Sequence, residues 1–248
     1  MKNSFKTLLT ITILASTLAF ASCISDGDDS NNTLMTAAYV TVTGDSIAGY
    51  KCFVDGGGVV LLAKGNILRK TERAYVTMTY TKANLTTVDG VPHIKNAEVY
   101  DGYIIPVLHP MTTSEATDKG ILNPDSCAKF TAMTSMWGYG GYVTFLSTFP
   151  VFVGSTNAIL PDFNIVADKE QNTENRLILR MLYNPHFTKT PSGYTQNTLT
   201  RANSIDISSL ASTVPGNDSI TVELAFEGGS KSCKIGRKDF VKPSSIFY

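Results

Sequence analysis

Cys23 is the residue whose chemistry can be read most directly. The stretch Leu18-Ala19-Phe20-Ala21-Ser22-Cys23 sets a thiol immediately behind small side chains. Ahead of it lie the parts of an export signal: Lys2 and Lys6 as a positive start, Leu8 to Ala15 as a short apolar centre, and Ala21 and Ser22 at the cut. A membrane-spanning helix needs about 20 predominantly apolar residues, whereas this run is shorter and is diluted by Thr7, Thr10, Thr12, Ser16 and Thr17. The expected processing is cleavage before Cys23, with acyl chains such as palmitate carried on that cysteine. A buried methylene contributes about 0.8 kcal/mol and one chain alone binds marginally, so several chains on Cys23 make attachment effectively permanent. The membrane is therefore the first expected partner.

Other chemistry-bearing residues are sparse. His93, His109 and His186 are scattered, each beside a proline. No nucleophile elbow, phosphate loop, H-E-x-x-H or C-x-x-C pattern occurs, so no catalytic residue and no cofactor is nominated. Asp26-Gly27-Asp28-Asp29 begins like a calcium loop, but Ala37 stands where the closing bidentate glutamate belongs. No metal is expected. That acidic run reads instead as a solvated tether, and it resembles the export tag of surface-displayed lipoproteins. The expected location is the outer membrane, lipid-anchored at the cell surface, with the periplasmic face as the alternative. Asp206 and Glu223 fall on strands and read as outward, solvated carboxylates. With Cys23 acylated, Cys52, Cys127 and Cys233 remain, an odd number. Cys52 reads as a small buried hydrophobe, and whether Cys127 and Cys233 pair stays open.

One aromatic cluster offers a binding surface. Met136-Trp137-Gly138-Tyr139-Gly140-Gly141-Tyr142 gathers the single tryptophan and two tyrosines around three glycines. Trp137, Tyr139 and Tyr142 could stack on sugar rings, or they could plug a β core with their N–H and O–H groups bonded to backbone.

The elements that must position these residues are strands. With 248 residues, 43% hydrophobic and 10% aromatic, the chain can bury a core in each of two domains. Its 21 basic and 21 acidic residues balance, and removing Lys2 and Lys6 with the signal leaves an acidic excess. That is not the footprint of a nucleic-acid binder. Tyr39 to Thr43 alternates, Asp55-Gly56-Gly57-Gly58 separates two apolar runs as a hairpin turn does, and Ala74 to Thr81 alternates cleanly. Runs at Ile94–Tyr100 and Tyr103–Ile105, joined at Asp101-Gly102, complete five short strands. The spacing predicts an all-β chain: a signal at 1–22, a flexible acidic tether at 23–36, a small OB-like barrel at 37–106 with an open sandwich as the alternative, a long connection at 107–135 and a β-sandwich at 136–248. So long a connection is expected to wrap over the second domain. Phe149-Pro150-Val151 predicts a separate strand near a sheet edge.

The order of these motifs resembles a known family. Tyr39-Val40-Thr41-Val42, Phe53-Val54-Asp55-Gly56-Gly57, Arg73-Ala74-Tyr75-Val76, Asp101-Gly102-Tyr103-Ile104, Trp137 to Thr144 and Leu177 to Asn184, behind a lipobox, are similar to the NigD-like lipoproteins over nearly the whole mature chain. At Lys70-Thr71-Glu72 the chain departs from the glycine and glutamine expected before the arginine. The resemblance implies an OB-like domain followed by a β-sandwich. It also implies a non-enzymatic binding or bacteriocin-immunity-type role, with a peptide toxin as partner. The alternative is an accessory protein or enzyme of surface glycan or peptidoglycan processing, with a glycan ligand at the Trp137 cluster.

Overall fold

Period-two alternation does build both halves of the molecule. The computed structural model describes residues 33–121, 132–187, 189–214 and 218–243. Two compact units divide between Ile105 and Pro106, the second running to Lys242.

In the first unit, β1 (Thr33–Asp45), β2 (Gly49–Val54), β3 (Val59–Ala63), β4 (Arg73–Thr81), β5 (Leu85–Val88), β6 (Val91–Lys95) and β7 (Glu98–Ile104) form one sheet in the order β5-β6-β3-β2-β1-β4-β7. Ala74, Val76, Met78 and Tyr80 share one face of β4 and meet Val40, Cys52, Val60 and Ile94 in a single core. On the opposite face Tyr39, Tyr75 and Tyr103 lie side by side across β1, β4 and β7, with ring centroids 4.9 and 5.4 Å apart. Such cross-strand aromatic pairs help set register. The small barrel expected here is not closed. What ties β3 to β7 is one parallel bridge: Lys64 N–H donates to Ala97 O at 3.0 Å, and Val99 N–H donates to Lys64 O at 2.7 Å.

Three expectations in this unit need correction. β1 starts at Thr33, paired with Thr81, so the last residues of the expected tether belong to the sheet. The expected strand from Ile94 to Tyr100 is broken at Asn96, whose φ of 54° takes it out of extended backbone. Asp101-Gly102 is no turn, because both residues lie inside β7. A Cβ at Gly102 would stand 2.2 Å from the Tyr75 carbonyl oxygen, so glycine is needed there for close approach of two strands.

The second unit stacks two sheets on one core. β8 (Val107–Leu108), β9 (Met133–Tyr139), β10 (Tyr142–Val153), β11 (Ala158–Ile159) and β14 (Thr195–Asp206) make the first, ordered β11-β10-β14-β8 with β9 also on β10. β12 (Asp162–Val166), β13 (Arg176–Asn184), β15 (Ser219–Phe226) and β16 (Gly229–Gly236) make the second. Val143, Phe145, Phe149 and Ile205 of one sheet meet Ile165, Leu177, Leu179, Val222 and Leu224 of the other.

The described start of the expected connection is part of this unit. β8 pairs in parallel with β14, and the short helix α1 (Thr113–Asp118) follows with a capping box between Thr112 and Glu115. Asp168 fixes that helix by accepting from Thr113 N–H at 2.8 Å and from its hydroxyl at 2.5 Å. Pro150 does not end a strand, as it sits inside the twelve-residue β10. Thr148 N–H donates to Ala132 O, so the backbone nitrogen two residues on faces the same side. Among the described residues, the pairing of β10 with β9 ends at Ser147 opposite Met133, and β11 begins only opposite Phe152. A missing N–H costs no ladder bond at that place.

Candidate functional site

Cys23 and Cys127 lie outside the described residues, so the lipidation site and a bridge to Cys233 are not part of this geometry. Cys52 is fully buried and Cys233 is half-buried on β16. Burial pushes both thiols up to about 12, far from the range of a reactive thiolate.

The Trp137 cluster is a hairpin. Gly140 and Gly141, with φ of 58° and 82°, form the two-residue turn between β9 and β10. Register places Tyr139 opposite Tyr142 and Trp137 opposite Thr144, on the face away from Val143 and Phe145. These aromatics therefore do not plug the second unit's core. Met136 does, and Gly138 shares its face because a Cβ there would come within 2.1 Å of Ile235 Cδ1. Trp137 and Tyr139 are half-buried, whereas Tyr142 is only 1% exposed with Lys242 Nζ 4.9 Å from its ring centroid. The three rings share one face but do not present an open platform of three.

Asp206 and Glu223 are not solvated as expected. Asp206 accepts from Lys242 Nζ at 2.9 Å and from the Ser208 hydroxyl at 2.6 Å. Burial raises its carboxyl, but the Ser208 and Lys242 bonds outweigh that and hold it below the usual range. His109 stands 3.7 Å from the same carboxylate, and Glu223 is paired with Arg176. His186 pairs with Asp162 at 3.2 Å. Asp206 and Glu223 are each accounted for by a cation, Lys242 and Arg176.

Sequence reasoning missed a cleft of about 620 Å³ in the first unit. One wall is the β1–β2 turn, where Asp45 Oδ1 accepts the N–H groups of Ile47 and Ala48, both at 2.8 Å. Those bonds hold the Asp45 carboxyl below its ordinary range. Gly44 and Gly49, each at φ 90°, bracket the turn. Lys64 and Asn66 at the end of β3, Arg69 beyond them, and Asn96 between β6 and β7 complete the lining with Ser46 and Tyr50. Two cations and two carboxamides face the cleft, and among the described residues no carboxylate, imidazole or thiol lines it. Such a set can hold a polar or anionic ligand, but it holds no general acid–base pair. The only hints in the sequence were the turn signals at Asp45 and Gly65-Asn66, since cleft residues dispersed from Ser46 to Asn96 form no motif.

No family model and no curated protein matches the sequence. Solved structures do. A protein of unknown function from Bacteroides vulgatus aligns at TM-score 0.52 and 15% identity, over 82% of this chain and 90% of its own. A candidate lipoprotein from Bacteroides fragilis aligns at TM-score 0.52 and 13% identity, over 82% of this chain and 98% of its own. The chain shares their fold. A NigD-like immunity protein from Bacteroides caccae also aligns, at TM-score 0.48 and 16% identity, over 85% of this chain and 94% of its own. Among the described residues no helix is long and apolar enough to cross a membrane.

Proposed function

We propose that this chain is a lipid-anchored, surface-displayed lipoprotein of the outer membrane that binds a ligand without transforming it. Its first unit is OB-like and its second is a β-sandwich. The strand order β3-β2-β1-β4-β7, with the single Lys64–Glu98 bridge between the ends of that run, supports the OB-like reading of an open sheet. The shared core of two facing sheets supports the sandwich. Cys23 carries the lipid, and the acidic residues behind it are the tether.

The cleft of the first unit is the observation that carries the binding role. It lies against the β1–β2 turn and the segment before β7, the loops with which OB folds hold oligomeric ligands. Lys64 and Arg69 favour an anionic partner, which an immunity role would meet as an acidic segment of a peptide toxin. A second reading is a surface glycan, favoured by Asn66 and Asn96, whose amides can both donate and accept to sugar hydroxyls. Deleting the gene and challenging the cells with a co-encoded peptide toxin tests the immunity version, and unchanged sensitivity sinks it. A panel of acidic and neutral polysaccharides against the wild-type chain and Arg69→Glu tests the glycan version. Selective loss of acidic-glycan binding is expected, and equal binding by the variant rejects the cleft.

A further inference from the structure

The second unit holds its own cavity, of about 200 Å³, where β8 and β14 of one sheet face β12 of the other. Leu108, Phe149, Leu160 and Phe163 give it apolar walls, with Phe149 and Phe163 edge-to-face at 5.3 Å. Arg201 and Asn203 line it from β14. Asn203 is only 3% exposed, yet its Nδ2 has no hydrogen-bond partner among the described residues. Ser147, fully buried, has an unpartnered Oγ as well. Register pairs Phe145 with Asn203 and Ser147 with Arg201, so Ser147 lies diagonally across from Asn203 on the same face.

Native interiors satisfy nearly all buried polar groups. An amide donor left over beside a cavity marks where an acceptor belongs. The walls call for an apolar body, and the Arg201 guanidinium favours an acceptor bearing negative charge. Asp162 also lines the cavity, paired with His186 at 3.2 Å, and it disfavours a second negative charge. The volume is below the roughly 300–1,000 Å³ of sites for drug-sized molecules, so the ligand is fragment-sized. We propose that this cavity binds a small monocarboxylate with an apolar body, its carboxylate accepting from Asn203 Nδ2 beside Arg201 and its body against Leu108, Phe149 and Phe163. The site is separate from the cleft of the first unit, and either can fail without the other.

The test titrates the purified full chain with 3-phenylpropionate and with the neutral 3-phenylpropanamide, followed by calorimetry and by amide NMR shifts. Saturable binding of the acid is expected, weakened at least about tenfold in Asn203→Leu and in Arg201→Gln, since a hydrogen bond to a charged group accounts for that much. Leu160→Trp, at a 39% exposed position, should close the mouth and abolish binding with an unchanged circular dichroism spectrum. It decides the matter if Asn203→Leu does not fold. Absence of saturable binding, equal affinity for the amide, or full affinity in Leu160→Trp overturns the site.

Discussion

Removing Asp55 should unfold the first unit well before the wild type. Arg73 is fully buried at the start of β4, and its guanidinium donates to both Asp55 oxygens, at 2.7 and 2.6 Å, and to Thr41 Oγ1 at 2.9 Å. Asp55 begins the β2–β3 turn, so this fork ties that turn to β4 across β1. Two unit charges about 4 Å apart interact by about 4 kcal/mol at the effective dielectric of 20 that suits protein sites. Breaking a buried pair costs about 3–5 kcal/mol, because the remaining charge stays desolvated. Asp55→Ala is therefore expected to lose about 3–5 kcal/mol, which for a unit of this size lowers Tm by more than about 10 °C. Urea denaturation gives the total, and amide exchange of β1, β2 and β4 locates the loss in the first unit. Replacing both partners, Asp55→Leu with Arg73→Met, should recover much of it. A loss under about 1 kcal/mol, or a double variant no better than the single, would refute the reasoning.

Three further perturbations follow from named contacts. Gly138→Ala drives a methyl into Ile235 Cδ1 and should cost about 1–3 kcal/mol as overpacking, read by thermal melting; Ile235→Val, which removes that Cδ1 at a cost of about 0.5–1.5 kcal/mol alone, should cost less in the Gly138→Ala chain than in the wild type, and an additive loss would place the strain elsewhere. Cys52 and Cys233, with thiols raised by burial to about 12, should stay unlabelled by iodoacetamide at pH 8 in peptide-resolved mass spectrometry until denaturant is added. Asp168 is held below the ordinary carboxylate range first by the Thr113 hydroxyl and then by its N–H. A lowered folded-state value means its contribution is full above the unfolded value of about 3.9 and is lost as pH falls through the folded one. Amide protection in α1, taken relative to the intrinsic exchange rate at each pH, should therefore fall on acidification, and Thr113→Ala should move that fall to higher pH.

The all-β class was legible because alternation is local. Ala74, Val76, Met78 and Tyr80 could be placed on one buried face from their spacing alone, and they are buried. Glycine was harder, since one residue type serves several ends. Asp55-Gly56-Gly57-Gly58 and Gly140-Gly141 turn the chain, while Gly102 and Gly138 admit a neighbouring strand or side chain. Nothing in the local sequence separates the two uses. Pro150 misled for a related reason: its effect depends on which side of β10 lacks a partner, and that is fixed by where β9 and β11 end. Neither cavity was legible. Lys64, Arg69 and Asn96, or Phe149, Phe163 and Asn203, converge only through strand order. The unpartnered Asn203 amide is a property of packing that no residue spacing encodes.

The measurement nearest the central claim is binding of a panel of acidic polysaccharides and acidic peptides by the wild-type chain and by Lys64→Glu/Arg69→Glu, two changes in the cleft of the first unit. The expected result is at least one ligand bound by the wild type and lost by the variant, with no change in melting temperature. A ligand held equally by both, or turned over to product, would contradict a binding protein that works through this cleft.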